Sequence, residues 1–154
     1  MANTFSQIYF QFVFAVKGRE SLISKSNKEE LHMYITALVQ ARGAKLIAIN
    51  CMPDHIHLFV GFKPTILMSD FAKEIKVKSN EFINSKGWIR GRFRWQEGYA
   101  LFTYSHSHVN LVVNYIQNQE AHHQKKTFKQ EYMGLLKKFE IPFEDEYLFN
   151  FIEQ

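Results

Sequence analysis

The chain opens on a period of two. Ile8, Phe10, Phe12, Phe14 and Val16 alternate with Gln7, Tyr9, Gln11 and Val13, which predicts a long strand over about 5–16 with one strongly apolar face. Lys17-Gly18-Arg19 breaks it. Ser26-Asn27-Lys28-Glu29 has the form of a capping box, and Leu31, Ile35, Leu38 and Arg42 follow at helical spacing as far as Gly43, a C-cap. Lys45 to Cys51 reads as a second strand. The turn formers Met52-Pro53-Asp54 lead into a third, His55 to Val60, so the two form an antiparallel hairpin. After Lys63-Pro64-Thr65 the period lengthens again. Phe71, Ile75 and Phe82 share one stripe of a helix that begins near Leu67.

Residues 86–97 read as a loop, and Gly98 to Tyr104 as a fourth strand. Ser107 is the predicted N-cap of a helix whose stripe is Val109, Val112, Val113 and Ile116, running to about Glu120. Thr127-Phe128-Lys129-Gln130 is a second capping box, opening a last helix with Phe128, Tyr132, Leu135 and Phe139 on one face. Ile141-Pro142-Phe143 ends it. The tail to Gln154 alternates acidic and aromatic residues and is expected to pack back on the body. The order strand, helix, strand, strand, helix, strand, helix, helix predicts an α+β fold: a ferredoxin-like or RRM-like antiparallel sheet with helices packed on one face.

Composition narrows the class. With 154 residues, and no repeat or linker, the expectation is a single domain over 1–154 with a real core; 46% hydrophobic and 16% aromatic residues exclude a disordered chain. No apolar run approaches the roughly 20 residues that span a bilayer, so no membrane association is expected. Gln7 and Gln11 interrupt the N-terminal apolar stretch, unlike a signal peptide. The single cysteine, Cys51, excludes an intramolecular disulfide and a cysteine zinc cage, consistent with a cytoplasmic protein. A net charge of +4 points mildly to a polyanionic partner.

Candidate chemistry sits in the third strand. Alternation puts His55 and His57 on one face and Ile56, Leu58 and Val60 on the other. Two imidazoles on a rigid strand can hold one divalent metal, or can simply be a polar sheet face. Tyr115 and Gln119 lie four apart in the third helix, on one side of it and flanking its apolar stripe. Tyr115 is either a rim tyrosine or a partly exposed functional one. Lys73 and Lys76 share a helix face that is either solvated or phosphate-binding. The loop carries Arg90, Arg92 and Arg94 among Trp88, Phe93 and Trp95. Guanidinium groups match phosphate and the rings could stack on unpaired bases, although Trp95 better suits a cover for the core edge. His106 and His108 fall at a helix start, where neighbours do not alternate as in a strand. His122 and His123, beside Lys125 and Lys126, are expected to meet phosphates or solvent.

Pro53-Asp54-His55-Ile56-His57, then Phe93-Arg94-Trp95-Gln96-Glu97-Gly98-Tyr99, then Asn114-Tyr115-Ile116-Gln117-Asn118-Gln119 with Glu120-Ala121-His122-His123, and the close around Tyr147-Leu148, resemble the single-tyrosine HUH (His-hydrophobic-His) transposases of bacterial insertion sequences, IS200-like and REP-associated. Gln11 departs from the pattern, since many members carry a histidine in the first strand. The resemblance implies that His55, His57 and Gln119 bind Mg²⁺ or Mn²⁺, and that Tyr115 attacks single-stranded DNA at hairpin-bearing element ends to leave a 5′-phosphotyrosine. It also implies a homodimer, with Lys73, Lys76, Arg90, Arg92 and Arg94 as DNA contacts. The alternative is a non-catalytic single-stranded nucleic-acid-binding module of the same fold.

Overall fold

The computed structural model describes residues 4–142. Four strands, β1 (Ile8–Ala15), β2 (Lys45–Met52), β3 (His55–Phe62) and β4 (Ala100–Tyr104), form one sheet in the order β2-β3-β1-β4, every neighbouring pair antiparallel. α1 (Lys28–Ala41) connects β1 to β2 and α2 (Met68–Lys86) connects β3 to β4. This is the ferredoxin-like arrangement, with the two most apolar strands, β1 and β3, at the centre.

The period-two pattern sorts the sheet into two faces. Phe12, Phe14, Ile56, Leu58 and Val60 point to one side and are sealed by Leu31, Ile35 and Val39 of α1 and Phe71, Ile75 and Ile83 of α2. The other side carries Gln11, Val13 and Ala15 of β1 and His55, His57 and Phe59 of β3. It is covered by α3 (Val109–Gln117), α4 (Gln119–His122) and α5 (Phe128–Lys138). α1 and α2 thus pack on one face as expected, and the later helices cover the second face as well. Val13, Phe59, Ala48 and Phe102 are the physical reason, because that face is apolar around its polar centre and would otherwise stand in water.

Three helix ends differ in detail from the sequence expectation. Asn27 sits at the α1 N-cap with no side-chain cap, and the Ser24 and Ser26 hydroxyls bond each other at 3.0 Å, so the capping box there does not form. Ser105, not Ser107, precedes the next helical segment. A 3-10 turn over His106–His108 intervenes, and α3 begins at Val109. α3 also stops early, at Asn118, so Tyr115 and Gln119 lie in successive helical segments. The Thr127 box forms in full, with Gln130 N–H donating to Thr127 Oγ1 at 3.2 Å and Thr127 N–H to Gln130 Oε1 at 3.0 Å. Gly43 ends α1 with φ of 75°, where only glycine is unstrained. The expected packing of the tail and the resemblance around Tyr147-Leu148 lie outside the described residues.

One end of the sheet is tied together by backbone. Val16 N–H donates to Asp54 O at 2.9 Å, and Lys17 N–H to Arg94 O at 2.9 Å. Gln96 N–H donates to Ala15 O at 2.7 Å. The turn before His55 and the arginine loop therefore flank the same end of β1.

Candidate metal and tyrosine centre

β3 delivers His55 and His57 to the face under α3–α5, opposite Ala15 and Val13 of β1. The small Ala15 leaves room for the His55 ring, which Phe128 of α5 meets edge-on at 3.9 Å. Both histidines are sealed from water, at 1% and 0% exposure.

His55 Nδ1–H donates to Asp54 Oδ1 at 2.6 Å, which leaves the Nε2 lone pair free. Burial holds its pKa down at about 4 against the opposing pull of Asp54, so the ring is neutral near pH 7. That lone pair faces Gln119 Oε1 at 3.3 Å and Glu131 Oε1 at 3.7 Å. Acceptors thus converge with no proton of their own between them. His123 supplies positive charge. Its Nδ1–H donates to Lys126 O at 3.0 Å, and its Nε2–H reaches Gln119 Oε1 at 3.0 Å and Glu131 Oε1 at 3.2 Å. Burial works against charging His123, but its bond to Glu131 and the carboxylate's charge outweigh burial and raise its pKa.

Glu131 is the hub. It is 5% exposed. Burial alone would raise its pKa, but hydrogen bonds from His123 and then His57 drive it well below the usual carboxylate range. Oε1 accepts from His57 Nε2–H at 3.1 Å, and Oε2 accepts from Gln119 Nε2–H at 3.0 Å. Oε2 also accepts a very short bond from the Tyr115 hydroxyl. His122 Nε2 comes within 3.2 Å of Oε2 without a hydrogen bond. Burial lowers the His122 pKa. Tyr115 is half-buried, its ring edge-on to His57 at 5.7 Å and to His122 at 5.3 Å. Burial first, then the Glu131 charge, raises the phenol pKa.

Among the described residues, His55, His57 and Glu131 offer ligand atoms that all lie within 4.8 Å of one another, close enough to hold a metal ion. The donor set of imidazole, carboxylate and amide oxygen suits a divalent cation, and a cation between those acceptors would do what the His123 imidazolium does in this arrangement.

The family described as "Transposase IS200 like" matches residues 4–119. The chain belongs to the IS200-like transposase family. The ISDra2 transposase TnpA of Deinococcus radiodurans is 24% identical over 118 residues, covering 73% of this chain and 84% of that protein. The transposase for insertion sequence element IS200 of Salmonella typhimurium is 24% identical over 124 residues, covering 77% and 81%. The fold is shared with a solved putative transposase from Deinococcus radiodurans (TM-score 0.61, 24% identity, 77% of this chain and 95% of that one). It is shared too with a REP-associated tyrosine transposase solved bound to a REP hairpin (TM-score 0.60, 16% identity, 80% and 73%).

In this IS200-like transposase the tertiary structure gathers His55, His57, Tyr115 and Gln119 into one cluster, and adds Glu131 and His123, which the sequence reading missed. His123 faces Glu131, not the phosphates or solvent expected of it, because the short α4 turns it inward. A signal for Glu131 existed. It sits three residues after Phe128 and four before Leu135, in the apolar stripe of α5, where an acid is out of place unless it has partners. The family match ends at Gln119, twelve residues before it.

The expected DNA contacts lie elsewhere. Lys73, Arg90, Arg92 and Arg94 are exposed. The Lys76 ammonium is half-buried and donates to Gln96 O at 2.7 Å and Gly98 O at 2.9 Å, so it braces the loop. Phe93 and Trp95 are buried, with Trp95 Nε1–H donating to Ser79 Oγ at 2.8 Å. Trp88 packs edge-on against Phe82 at 5.6 Å. The loop's aromatics therefore anchor it and its arginines face water.

Proposed function

We propose that this transposase cuts and rejoins single-stranded DNA at hairpin-bearing element ends, with Tyr115 as nucleophile. The observation that carries the reading is the convergence of the Tyr115 hydroxyl and both strand histidines on one buried carboxylate within a single chain. His55, His57, Glu131 and the Gln119 amide oxygen would hold Mg²⁺ or Mn²⁺. Such an ion polarises the scissile phosphate as a Lewis acid and orients it.

Tyr115 Oη would attack phosphorus and the P–O3′ bond would break. The products are a 5′-phosphotyrosine and a free 3′-OH, the phenolic proton passing to solvent and the leaving O3′ taking one from solvent. The phosphotyrosine keeps the bond energy, so rejoining needs no ATP. In the arrangement described, the Tyr115 hydroxyl donates to Glu131 Oε2, and burial beside that carboxylate raises the phenol pKa. Attack requires Glu131 to let go of the hydroxyl. The exposed Lys73, Arg90, Arg92 and Arg94 would contact phosphates, with Lys76 bracing the loop that carries the arginines. A homodimer is the assembly that the family resemblance implies.

The test is incubation with single-stranded element-end DNA and Mn²⁺, followed by a denaturing gel. A covalent adduct should form, and Tyr115→Phe should abolish it. An adduct that persists in the variant removes Tyr115 from the role. The closed network around Glu131 also favours a second reading, a binding module that holds single strands without cutting. That reading expects binding indifferent to chelator and no adduct on any cognate end.

A further inference from the structure

Neither the metal reading nor the attack by Tyr115 uses Gln11, yet it is fully buried at the middle of β1 and spends both ends of its amide on the site. Its Nε2–H donates to His57 Nδ1 at 2.8 Å, and its Oε1 accepts from the Tyr104 hydroxyl at 2.8 Å. The direction of this chain assigns the His57 tautomer. Nδ1 is an acceptor, so the ring proton sits on Nε2, where it donates to Glu131 Oε1 at 3.1 Å. Nε2 is also the only ring nitrogen of His57 that faces Glu131, and hence the one whose lone pair an ion would need. The two histidines are therefore prepared oppositely. Asp54, an acceptor on Nδ1–H, leaves His55 Nε2 bare, whereas Gln11, a donor to Nδ1, leaves His57 Nε2 protonated.

We propose that Gln11 is a positioning residue that selects the His57 tautomer, and that its amide reverses when a divalent cation enters the site. Reversed, Oε1 accepts from Nδ1–H and Nε2–H donates to Tyr104. A hydroxyl serves as donor or acceptor, and Tyr104 stands at the wall of an open cleft with His108, Leu111 and Tyr115, so it can turn its own hydrogen to water. One proton leaves Nε2 for solvent as the cation enters and one is taken up from solvent at Nδ1, so the charge on His57 does not change and Glu131 stays ionised to hold the cation. The Gln11 amide and the His57 Nδ1 keep their bond to each other in both settings, and the Gln11 amide keeps its bond to Tyr104, which a residue with a single hydrogen-bonding role could not provide. The ring is oriented by its two bonds, Nδ1 to Gln11 and Nε2 to Glu131, and packs edge-on against His55 at 5.2 Å and against Tyr115.

The inference rests on the metal reading, and the experiment separates the two. The purified full chain is titrated with Mn²⁺ by calorimetry, and its imidazole ¹⁵N shifts are recorded without metal and with diamagnetic Zn²⁺. Without metal, His57 should carry its proton on Nε2 and His55 on Nδ1; with Zn²⁺ both should carry it on Nδ1. Gln11→Leu should weaken Mn²⁺ binding by about 10–100-fold, as loss of an outer-shell partner does, and Gln11→Glu, a permanent acceptor, should restore it. Tyr104→Phe should weaken it less. Wild-type protein that binds no Mn²⁺ sinks the metal reading and this inference with it. Wild-type protein that binds Mn²⁺ but already carries the His57 proton on Nδ1 without metal overturns this inference alone. So does a folded Gln11→Leu chain with unchanged affinity. Should Gln11→Leu fail to fold, the wild-type ¹⁵N shifts and Tyr104→Phe decide.

Discussion

The two faces of the sheet are built from the same strands with the same period, yet they obey different rules. Toward α1 and α2 the contents are carbon: Phe12, Phe14, Ile56, Leu58, Val60, Phe71. Any apolar side chains of suitable volume would serve there, because transfer out of water is non-directional. Toward α3–α5 the same strands present Gln11, His55 and His57, joined by Asn50, Gln119 and Glu131, all buried. Burying these groups is unfavourable unless each donor meets its acceptor. Asn50 illustrates the point: its Nδ2–H donates to Ile116 O at 2.8 Å and its Oδ1 accepts from Lys28 Nζ at 2.8 Å. One face holds the fold together, and the other stores groups that fold only in each other's company.

The apolar face carries the larger share of stability. Phe12→Ala should cost about 3–5 kcal/mol, as large-to-small changes at fully buried aromatics do. Urea unfolding followed by circular dichroism reads this, and a midpoint close to wild type would mean that α1 and α2 do not depend on that face. From the polar side, Mn²⁺ at a hundredfold excess over its dissociation constant should stabilise the chain by about 2.7 kcal/mol, and His55→Ala should not respond. Equal thermal shifts in both proteins would place the ion away from the histidines.

Away from both faces, His32 accepts the Cys51 N–H on Nε2 at 2.9 Å, and burial lowers its pKa from 6.5 to about 4. The unfolded chain binds that proton more readily, so stability should fall as pH drops from 6.5 toward 4. His32→Gln should remove about 1–3 kcal/mol of that dependence, and His55 contributes in the same direction. A pH–stability profile unchanged by His32→Gln would contradict the assignment. The smallest effect belongs to the exposed arginines. Arg92→Ala and Arg94→Ala should each lower the salt slope of single-stranded DNA binding by about 0.7, with no change in unfolding midpoint. An unaffected slope would remove the loop from the interface.

Much of this was legible in the chain because local periodicity reports burial. The strands, the Gly43 stop and the Thr127 box all follow from side-chain spacing and backbone chemistry within a few residues. The His55–His57 pair and Tyr115 could be picked out for the same reason, with the family resemblance giving them a common purpose. The failures were non-local or cooperative. The Ser26 box and the Ser107 cap had the right residues, but the hydroxyls found other partners. Lys76 read as a free cation because nothing in α2 announces the carbonyls of Gln96 and Gly98 that receive it. His123 read as surface because its acceptor is eight residues away, across a helix break.

By itself, then, the sequence determined which residues alternate, which stripes are apolar and therefore which face of β3 the two imidazoles share. Whether that face would be open to water or closed, and by what, it left undetermined. Only the tertiary structure lays α5 over it, bringing Glu131 to His57 from 74 residues away and Gln11 to the same ring from 46 residues on the other side. Hydrophobic pattern is a property of a segment. The satisfaction of a buried hydrogen bond is a property of a pair, and the partner's address exists only once the chain is folded.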